Sequence, residues 1–184
     1  MTNEGRRVRR VPTDELTTAE VPALRALLWA AFPPGEEGFT EEDWQHALGG
    51  MHFLLDDDGA LAAHASVVER ELHVAGRPVR TGYVEAVATT PAAQGRGLGT
   101  IVMRDVTAYV RAEYELGALG TGVHRFYERL GWETWRGPSA VRTVEGLVRT
   151  PEDDGYIMVL RTGTSPPLDP VTPISCEWRP GDVW

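Results

Sequence analysis

Helical periodicity is the first signal in the sequence. Five apolar residues share one helical face: Val21, Leu24, Leu27, Leu28 and Ala31. The preceding Thr17-Thr18-Ala19-Glu20 segment is typical of a capping box, in which a hydroxyl and a carboxylate each bond a free backbone amide. Pro33-Pro34-Gly35 ends this predicted helix. A second, short helix is predicted from Thr40, with Asp43 at its third position, to the Gly49-Gly50 pair.

Strand patterns dominate the middle of the chain. After a short first strand at 6–11, strands are predicted at 51–56, 61–74 and 79–89. The Asp57-Asp58-Gly59 segment between two of these strands is typical of a tight hairpin. Strands that follow one another so closely are expected to pair in antiparallel fashion.

A glycine-rich segment and a long helix begin the second half of the chain. The predicted buried face of this helix carries Leu98, Val102, Val106, Tyr109 and Val110. The elements predicted after it are a strand at 116–119, a short helix at 124–130, a strand pair that begins at 131, a strand at 156–160 and an extended loop at 164–173. We therefore predict a single α+β domain over residues 1–184, with a mixed, mostly antiparallel central sheet flanked by helices.

Composition and charge narrow the range of partners. The 184 residues include 18 Lys plus Arg against 27 Asp plus Glu, a net charge of −9. This balance argues against nucleic-acid binding and favours the capture of cationic ligands. Cys176 is the only cysteine, so neither an internal disulfide nor a cysteine-rich metal cluster is expected. Because there is also no long apolar run or signal-peptide pattern, we expect a cytoplasmic protein that binds no membrane. No metal site is expected, because the histidines show no ligand spacing with Cys176; they are His46, His52, His64, His73 and His124.

The clearest chemistry lies in Gln94-Gly95-Arg96-Gly97-Leu98-Gly99, between a predicted strand and a predicted helix. Glycines let the backbone approach an anion closely, and the free amides and the dipole at a helix start attract negative charge. Arg96 adds a positive charge. The functional interpretation is a phosphate or pyrophosphate site, and the alternative is a flexible connection that binds nothing.

Two common nucleotide-binding patterns do not fit this loop. The dinucleotide pattern G-x-G-x-x-G would require its third glycine at Thr100 or at Val102. A P-loop would end in Gly-Lys-Ser/Thr, which the segment lacks.

The spacing Q-x-x-G-x-G before a long helix resembles the acetyl-CoA loop of the GNAT N-acetyltransferase superfamily, and the predicted order of elements agrees with that fold. The resemblance implies that acetyl-CoA is the cofactor and lies in a wedge between two splayed strands, here 83–89 and 116–119. It implies acetyl-CoA contacts at Val87, Ala88, Thr89, Gln94, Gly95, Arg96, Gly97, Leu98, Gly99 and Thr100.

Further segments are similar to aminoglycoside 2′-N-acetyltransferases. They are Phe39-Thr40-Glu41-Glu42-Asp43-Trp44, 48–52, 82–85, 116–119, 150–155 and the terminal Cys176-Glu177-Trp178-Arg179-Pro180-Gly181-Asp182-Val183-Trp184. This resemblance implies acetylation of the 2′-amine of aminoglycoside antibiotics, which confers resistance, by direct attack of the amine on the thioester in a ternary complex. It also implies that the C-terminal tail, 164–184, folds back to the substrate site.

Such a reaction needs a base for the ammonium proton, a proton for the leaving thiolate and a donor that stabilises the oxyanion. The resemblance gives the first role to Glu85, with the α-carboxylate of Trp184 as the alternative base. It gives the second role to Tyr127, within the F-Y-x-x-x-G-W pattern, and the third to a backbone amide near Val87. The residues alone leave open a solvent-facing or arginine-paired Glu85 and a Tyr127 that only packs.

A site for a polycationic sugar should be rich in carboxylates. The substrate contacts implied by the resemblance are Asp43, Asp153, Asp182 and the α-carboxylate of Trp184. Familiar members of the family have aspartate where this chain has Gly38 and serine where it has Gly120. Glu37 and Thr121 are the expected replacements. Asp43 in a first helical turn and the acidic turn at 152–154 also have ordinary structural explanations.

Two other functions stay open. One is acetyl transfer to a different amino sugar, aminocyclitol or amino metabolite, and the other is non-catalytic binding of an acyl-CoA or a drug. Cys176 as an acyl carrier is a weak alternative, because lone cysteines are usually buried and inert. His52 and His64 are expected to be strand residues with hydrogen-bonded rings. By analogy with the superfamily, a homodimer is expected.

Overall fold

The computed structural model describes residues 7–35 and 38–184. Its helices in these ranges are α1 (Glu20–Ala31), α2 (Glu41–His46), α3 (Leu98–Glu113) and α4 (His124–Glu128). Its strands there are β1 (Arg9–Pro12), β2 (Met51–Asp57), β3 (Ala60–Val74), β4 (Arg77–Thr89), β5 (Leu116–Gly120), β6 (Glu133–Thr134), β7 (Ser139–Thr143), β8 (Gly146–Arg149), β9 (Ile157–Arg161) and β10 (Ile174–Glu177). No helix in the described part of the chain is long and apolar enough to cross a membrane.

The described residues form two compact units, and the long strands β3 and β4 contribute to both. The first unit holds the described residues up to Val68 together with Val84–Val106. The second holds Glu69–Tyr83 and Thr107–Trp184.

In the first unit, β2 pairs in antiparallel fashion with both β1 and β3. The turn between β2 and β3 has Asp58 and Gly59 at φ values of 52° and 82°, as the tight primed hairpin turns require. The buried core of this unit contains Leu24, Leu27, Leu28, Trp44, Leu54 and Ala88. The helical face predicted from periodicity therefore supplies its centre.

In the second unit, the strand order is β6-β9-β5-β4-β3-β10-β7-β8. The pairs β4–β5 and β10–β7 are parallel, whereas β5–β9, β6–β9, β7–β8 and β3–β10 are antiparallel. The prediction of an α+β fold with a mixed, mostly antiparallel sheet is confirmed.

Both predicted helix starts are confirmed at atomic detail. The Thr17 amide donates to Glu20 Oε2 (2.9 Å), and the Glu20 amide donates to Thr17 Oγ1 (3.2 Å). At α2, Asp43 Oδ2 accepts from the Thr40 amide (2.8 Å), and the Asp43 amide donates to Thr40 Oγ1 (3.2 Å).

The sequence predicts no strand after 156–160, whereas Ile174–Glu177 is the strand β10, between β3 and β7. The extended loop predicted at 164–173 contains no helix or strand. The short buried run Ile174-Ser175-Cys176 was the available signal. It was missed because four residues give little periodicity.

Other predicted boundaries also shift. The helix expected at 124–130 ends at Glu128, because the amides of Leu130 and Trp132 both donate to the Tyr127 carbonyl oxygen (2.9 and 3.2 Å). The strand pair expected from residue 131 begins at Glu133. The first strand is Arg9–Pro12 rather than 6–11, and residue 6 lies outside the described residues.

Gly50 precedes β2 at a point of close approach to β3. A Cβ atom at Gly50 would lie 2.0 Å from the Val67 carbonyl oxygen. We expect Gly50→Ala to lower the free energy of unfolding by about 1–3 kcal/mol, the usual cost of overpacking. The matched control is Gly163→Ala, because no heavy atom lies within 4 Å of the Cβ position there. Equal urea midpoints for the two variants would contradict this expectation.

Candidate functional site

An exposed loop leads from β4 to α3. Gln94, Gly95, Arg96 and Gly97 are exposed, and the buried Leu98 anchors the start of the helix. Gly95 and Gly97 have φ values of 75° and 80°, a region that residues with a Cβ rarely adopt. No heavy atom lies within 4 Å of the Cβ position at either glycine. The loop therefore offers open backbone to a ligand.

Free amides at the start of α3 make this loop suited to an anion. The Ile101 amide donates to the Gly97 carbonyl oxygen (3.2 Å), so the amides of Leu98, Gly99 and Thr100 precede the helical hydrogen-bond pattern. The helix is 16 residues long, and its dipole adds to the attraction. A phosphate or pyrophosphate group fits this arrangement.

Two side-chain contacts hold the loop. Arg96 Nη1 lies 2.7 Å from Asp57 Oδ2, and the Asp57 side chain is only 9% exposed. Gln94 Nε2 donates to the Thr89 carbonyl oxygen (3.3 Å) at the end of β4. The sequence did not predict the contact between Arg96 and Asp57, because Asp57 already has a role as part of the predicted hairpin turn.

β4 is irregular at the candidate base. Glu85, Ala86 and Val87 are half-buried, and Ala86 has a φ of 51°. Ser66 Oγ donates to the Glu85 carbonyl oxygen (3.4 Å), and His64 Nδ1 lies 2.8 Å from the Ala86 carbonyl oxygen. Successive carbonyls alternate in a regular strand, so two that face β3 in succession mark a bulge.

A buried chain of side chains ends at that bulge. His52 Nδ1 lies 2.9 Å from His64 Nε2, and Thr13 Oγ1 lies 2.9 Å from His52 Nε2. The Gly50 carbonyl oxygen is a second, longer contact of the Thr13 hydroxyl, at 3.2 Å. Burial lowers the pKa of His52 to about 4 and that of His64 to about 3. Both histidines are strand residues with hydrogen-bonded rings, as the sequence predicts.

Tyr127 lies on α4 in the second unit. Its side chain is buried, with the Phe126 ring 4.9 Å away in an edge contact. Burial raises the pKa of Tyr127 to about 12. The phenol therefore keeps its proton at neutral pH, which is the form that a proton donor must have.

Several predicted substrate contacts lie together in the second unit. The Trp184 indole is buried and donates to Thr150 Oγ1 (3.1 Å). Backbone bonds connect Asp153 to Thr150 (3.0 Å), Tyr156 to Asp153 (3.0 Å) and Thr121 to Tyr156 (2.9 Å). These bonds tie Thr121, Asp153 and Trp184 into one cluster.

Carboxylates of this cluster repel one another. The Trp184 amide donates to Asp182 Oδ1 (3.3 Å). Burial raises the pKa of Asp153, a hydrogen bond from Thr150 opposes the rise, and the charge of Asp182 adds to it. Repulsion of this kind would be relieved by a cation between the carboxylates.

A buried arginine that the sequence analysis missed holds the tail. Arg70 has a side chain only 3% exposed, and it donates to Glu177 Oε1 (2.8 Å) and to the Val183 carbonyl oxygen (2.9 Å). Its guanidinium lies 4.6 Å from the centre of the Tyr83 ring, and that of Arg179 lies 5.6 Å from the same ring. An arginine in the middle of a strand pattern carries no sequence signal for this role.

The remaining candidate residues have separate surroundings. One oxygen of Asp43 serves the α2 capping box, and its role toward a substrate stays a prediction. Glu37 lies outside the described residues. Burial raises the pKa of the Cys176 thiol to about 11, which disfavours the thiolate that an acyl carrier would require.

The buried histidines should make the stability of the protein depend on pH. Their folded-state pKa values of about 4 and 3 lie below the ordinary value of 6.5. Because the unfolded chain gains these protons first, stability should be complete above pH 6.5 and fall as the pH drops toward 4. Each unit of pKa difference corresponds to about 1.4 kcal/mol.

Urea unfolding between pH 7.5 and 4.5 measures this dependence. His64→Asn should flatten it. His73→Asn is the control variant, because it replaces a partly exposed histidine of the same strand that lies outside this buried pair. Parallel curves for the two variants would show that the buried ring does not carry the effect.

Proteins of known identity are similar to this chain in sequence. Residues 13–135 match the family model described as an acetyltransferase (GNAT) domain. The aminoglycoside 2′-N-acetyltransferase of Mycolicibacterium fortuitum is 42% identical over 180 residues, which cover 96% of this chain and 91% of that protein.

Solved structures agree on the fold. A GNAT family acetyltransferase from Brucella melitensis in complex with acetyl-CoA has a TM-score of 0.61 at 19% identity, over 89% of this chain and 92% of that one. A GNAT family N-acetyltransferase from Escherichia coli in complex with CoA has a TM-score of 0.62 at 14% identity, over 95% of this chain and 89% of that one. A third, from Kribbella flavida, has a TM-score of 0.58 at 22% identity over 75% of this chain, which spans only 36% of that longer protein.

The sequence match and the fold point to the same family. The resemblance to aminoglycoside 2′-N-acetyltransferases is confirmed by a relative that covers nearly the whole chain. The chain belongs to the GNAT acetyltransferase superfamily, whose members use acetyl-CoA as acetyl donor.

Proposed function

We propose that this chain is an acetyl-CoA-dependent N-acetyltransferase that acetylates the 2′-amino group of aminoglycoside antibiotics. The observation that carries the proposal is the 42% identity, across 96% of the chain, to an aminoglycoside 2′-N-acetyltransferase. A cytoplasmic location and a single catalytic domain are part of the same proposal, and a homodimer is proposed by analogy with the superfamily.

The loop before α3 fits the phosphates of the acetyl donor. The positive φ values of Gly95 and Gly97 and the open space beside them expose backbone amides. The amides of Leu98–Thr100 would donate to phosphate oxygens, and Arg96 would add positive charge. The backbone of Val87–Thr89 would hold the arm that ends in the thioester. When bound, acetyl-CoA supplies an acetyl group that is activated as a thioester.

Acidic groups of the second unit fit a polycationic substrate. The negative charges of Asp153 and Asp182 repel each other, and an ammonium group between them would offset this repulsion. In the proposal, the tail at 164–184 brings Asp182 and the α-carboxylate of Trp184 to the substrate amines. Thr121, Asp43 and Glu37 would make further contacts with amines or hydroxyls. The net charge of −9 would favour the approach of such a cation.

Two residues would move protons. Glu85 would accept the proton that the attacking ammonium must lose, directly or through water, and the carboxylate of Trp184 is the alternative acceptor. Tyr127 holds its proton in a buried site and would release it to the departing sulfur. The second proton, which the nitrogen loses as the amide forms, would restore the phenol. No acyl-enzyme is expected, because the thiol of Cys176 is buried and its pKa is raised to about 11.

A different amine acceptor remains a second candidate. At Gly120 a Cβ would lie 3.5 Å from the Trp184 carboxyl carbon and 3.7 Å from the Tyr83 hydroxyl. The glycine leaves room beside the carboxylate that a serine would fill. A panel of amino sugars and aminocyclitols would rank the acceptors.

The proposal predicts one acetyl group per aminoglycoside when enzyme, acetyl-CoA and drug are incubated together. Mass spectrometry should find it on the 2′-amine, and free thiol should appear only when drug is present. An aminoglycoside with a hydroxyl at the 2′ position is the matched control and should stay unmodified. A binding protein without activity would release no thiol with any drug.

Loss of the proton-transfer groups should lower turnover with little effect on coenzyme binding. We expect Glu85→Gln and Tyr127→Phe to lower kcat by about 10²–10⁴, the usual contribution of general acid–base catalysis. Glu71→Gln is the control, because that carboxylate is 68% exposed and contacts His73. Unchanged kcat across the pH range in either variant would reject the role assigned to that residue.

A further inference from the structure

The hydrogen-bond chain that ends at Ala86 has one consistent direction. A carbonyl oxygen only accepts, so His64 must carry its proton on Nδ1. The ring is neutral because burial lowers its pKa, so its Nε2 accepts from His52 Nδ1. His52 Nε2 then accepts from the Thr13 hydroxyl, which itself accepts from the Gly49 amide (2.9 Å). Each donor has a partner, and both rings are fixed as the Nδ1–H tautomer.

This direction sets the orientation of two peptide groups in β4. In a trans peptide the carbonyl and the N–H of the next residue point in opposite directions, and the described residues contain no cis peptide. The carbonyls of Glu85 and Ala86 are both held toward β3. The N–H groups of Ala86 and Val87 therefore both point away from β3. Two adjacent donors on one side form the arrangement that stabilises a developing negative charge on oxygen.

Ala86 does not adopt this conformation on its own. A φ of 51° is disfavoured for a residue with a Cβ, so neighbouring groups must impose it. The contact with His64, at 2.8 Å, is the shorter of the two that hold these carbonyls. Its ring is fully buried and cannot turn toward water.

We propose that His64, with His52 behind it, is a positioning residue for acetyl transfer: it holds the Ala86 carbonyl so that the Val87 N–H faces the acetyl oxygen of the bound donor. His64 touches neither substrate and acts through the backbone. The inference deepens the proposed function and rests on it for the identity of the reaction. It assigns a task to the histidine pair that a structural role in the core does not require.

Asparagine and glutamine separate the two ring nitrogens of His64. The amide group of asparagine reaches the place of Nδ1 and can still donate to the Ala86 carbonyl, whereas that of glutamine reaches the place of Nε2 and cannot. His64→Asn and His64→Gln thus form a matched pair of buried polar variants. His73→Gln, on the same strand but near the surface, is the control.

The thioester carbonyl stretch of bound acetyl-CoA, labelled with ¹³C at the acetyl carbonyl carbon, reports the hydrogen bond from the Val87 N–H to the acetyl oxygen. The measurement needs no turnover. In difference infrared spectra, wild type and His64→Asn should show the band lowered relative to free acetyl-CoA. His64→Gln should show it shifted toward the free value, with unchanged affinity for CoA. Turnover of His64→Gln should fall about tenfold or more, approaching the 10²–10³-fold cost of losing one such donor. His64→Asn should recover most of that loss.

Nitrogen-15 spectra of the histidine rings give a readout on the enzyme without acetyl-CoA. Both His52 and His64 should be neutral Nδ1–H tautomers at pH 7. An Nε2–H tautomer or a charged ring at His64 would overturn the proposal, as would identical carbonyl bands in the two His64 variants. If His64→Gln does not fold, His64→Asn alone tests the proposal. A carbonyl band of His64→Asn at the value of free acetyl-CoA would overturn it, because asparagine keeps the donor to the Ala86 carbonyl. Expected bands in a wild type that acetylates no aminoglycoside would reject the proposed function and leave this inference intact.

Discussion

The conformation of the peptide between Ala86 and Val87 is disfavoured locally, but the proposed acetyl-donor site depends on it. Alanine at a φ of 51° is disfavoured in isolation, and two neighbouring carbonyls on one side of a strand break the regular ladder. The first unit resolves the conflict by bringing Ser66 and His64 of β3 to those carbonyls. Burial keeps both histidine rings neutral, so the arrangement needs no charge in the core. The backbone that would hold the acetyl donor is thus shaped by residues that never meet it.

In the second unit, a buried positive charge anchors the C-terminal tail. A tail that presents carboxylates must be anchored against their mutual repulsion, and Arg70 supplies a buried cation bonded to Glu177 and to the Val183 carbonyl. The Tyr83 ring near both Arg70 and Arg179 adds a further attraction for cations. Arg70 also donates to the Glu177 carbonyl oxygen, and Arg179 donates to the Asp182 carbonyl oxygen. These main-chain bonds constrain the path of the tail, while the Asp182 side chain is exposed.

Sequence reasoning succeeded where one local pattern carries one structure. Gly95 and Gly97 adopt the backbone that only glycine takes readily, and the capping residues Thr17 and Thr40 bond as their spacing requires. It failed where partners are distant along the chain. Arg70 and Val183 are 113 positions apart, and nothing in the spacing of arginines marks which one will be buried. His52 and His64 were expected to have satisfied rings, but the direction of their bonds depends on Ala86, a residue without any polar side chain.

The position of β10 has a consequence for the order in which the sheet is built. This strand comes after every other described strand in the sequence, yet it lies inside the sheet, between β3 and β7. A nascent chain emerges from its amino terminus, so the β7–β8 hairpin must wait for Ile174–Glu177 before it gains a neighbour on its inner side. Until then the end of β3 at His73 and Val74, which pairs with β10, and the inner edge of β7 are unpaired. Unpaired strand edges are the surfaces most prone to join with other chains. Because synthesis proceeds from the amino terminus, the last strand completes the second unit. A translation product that ends before β10 would expose unpaired strand edges on β3 and β7.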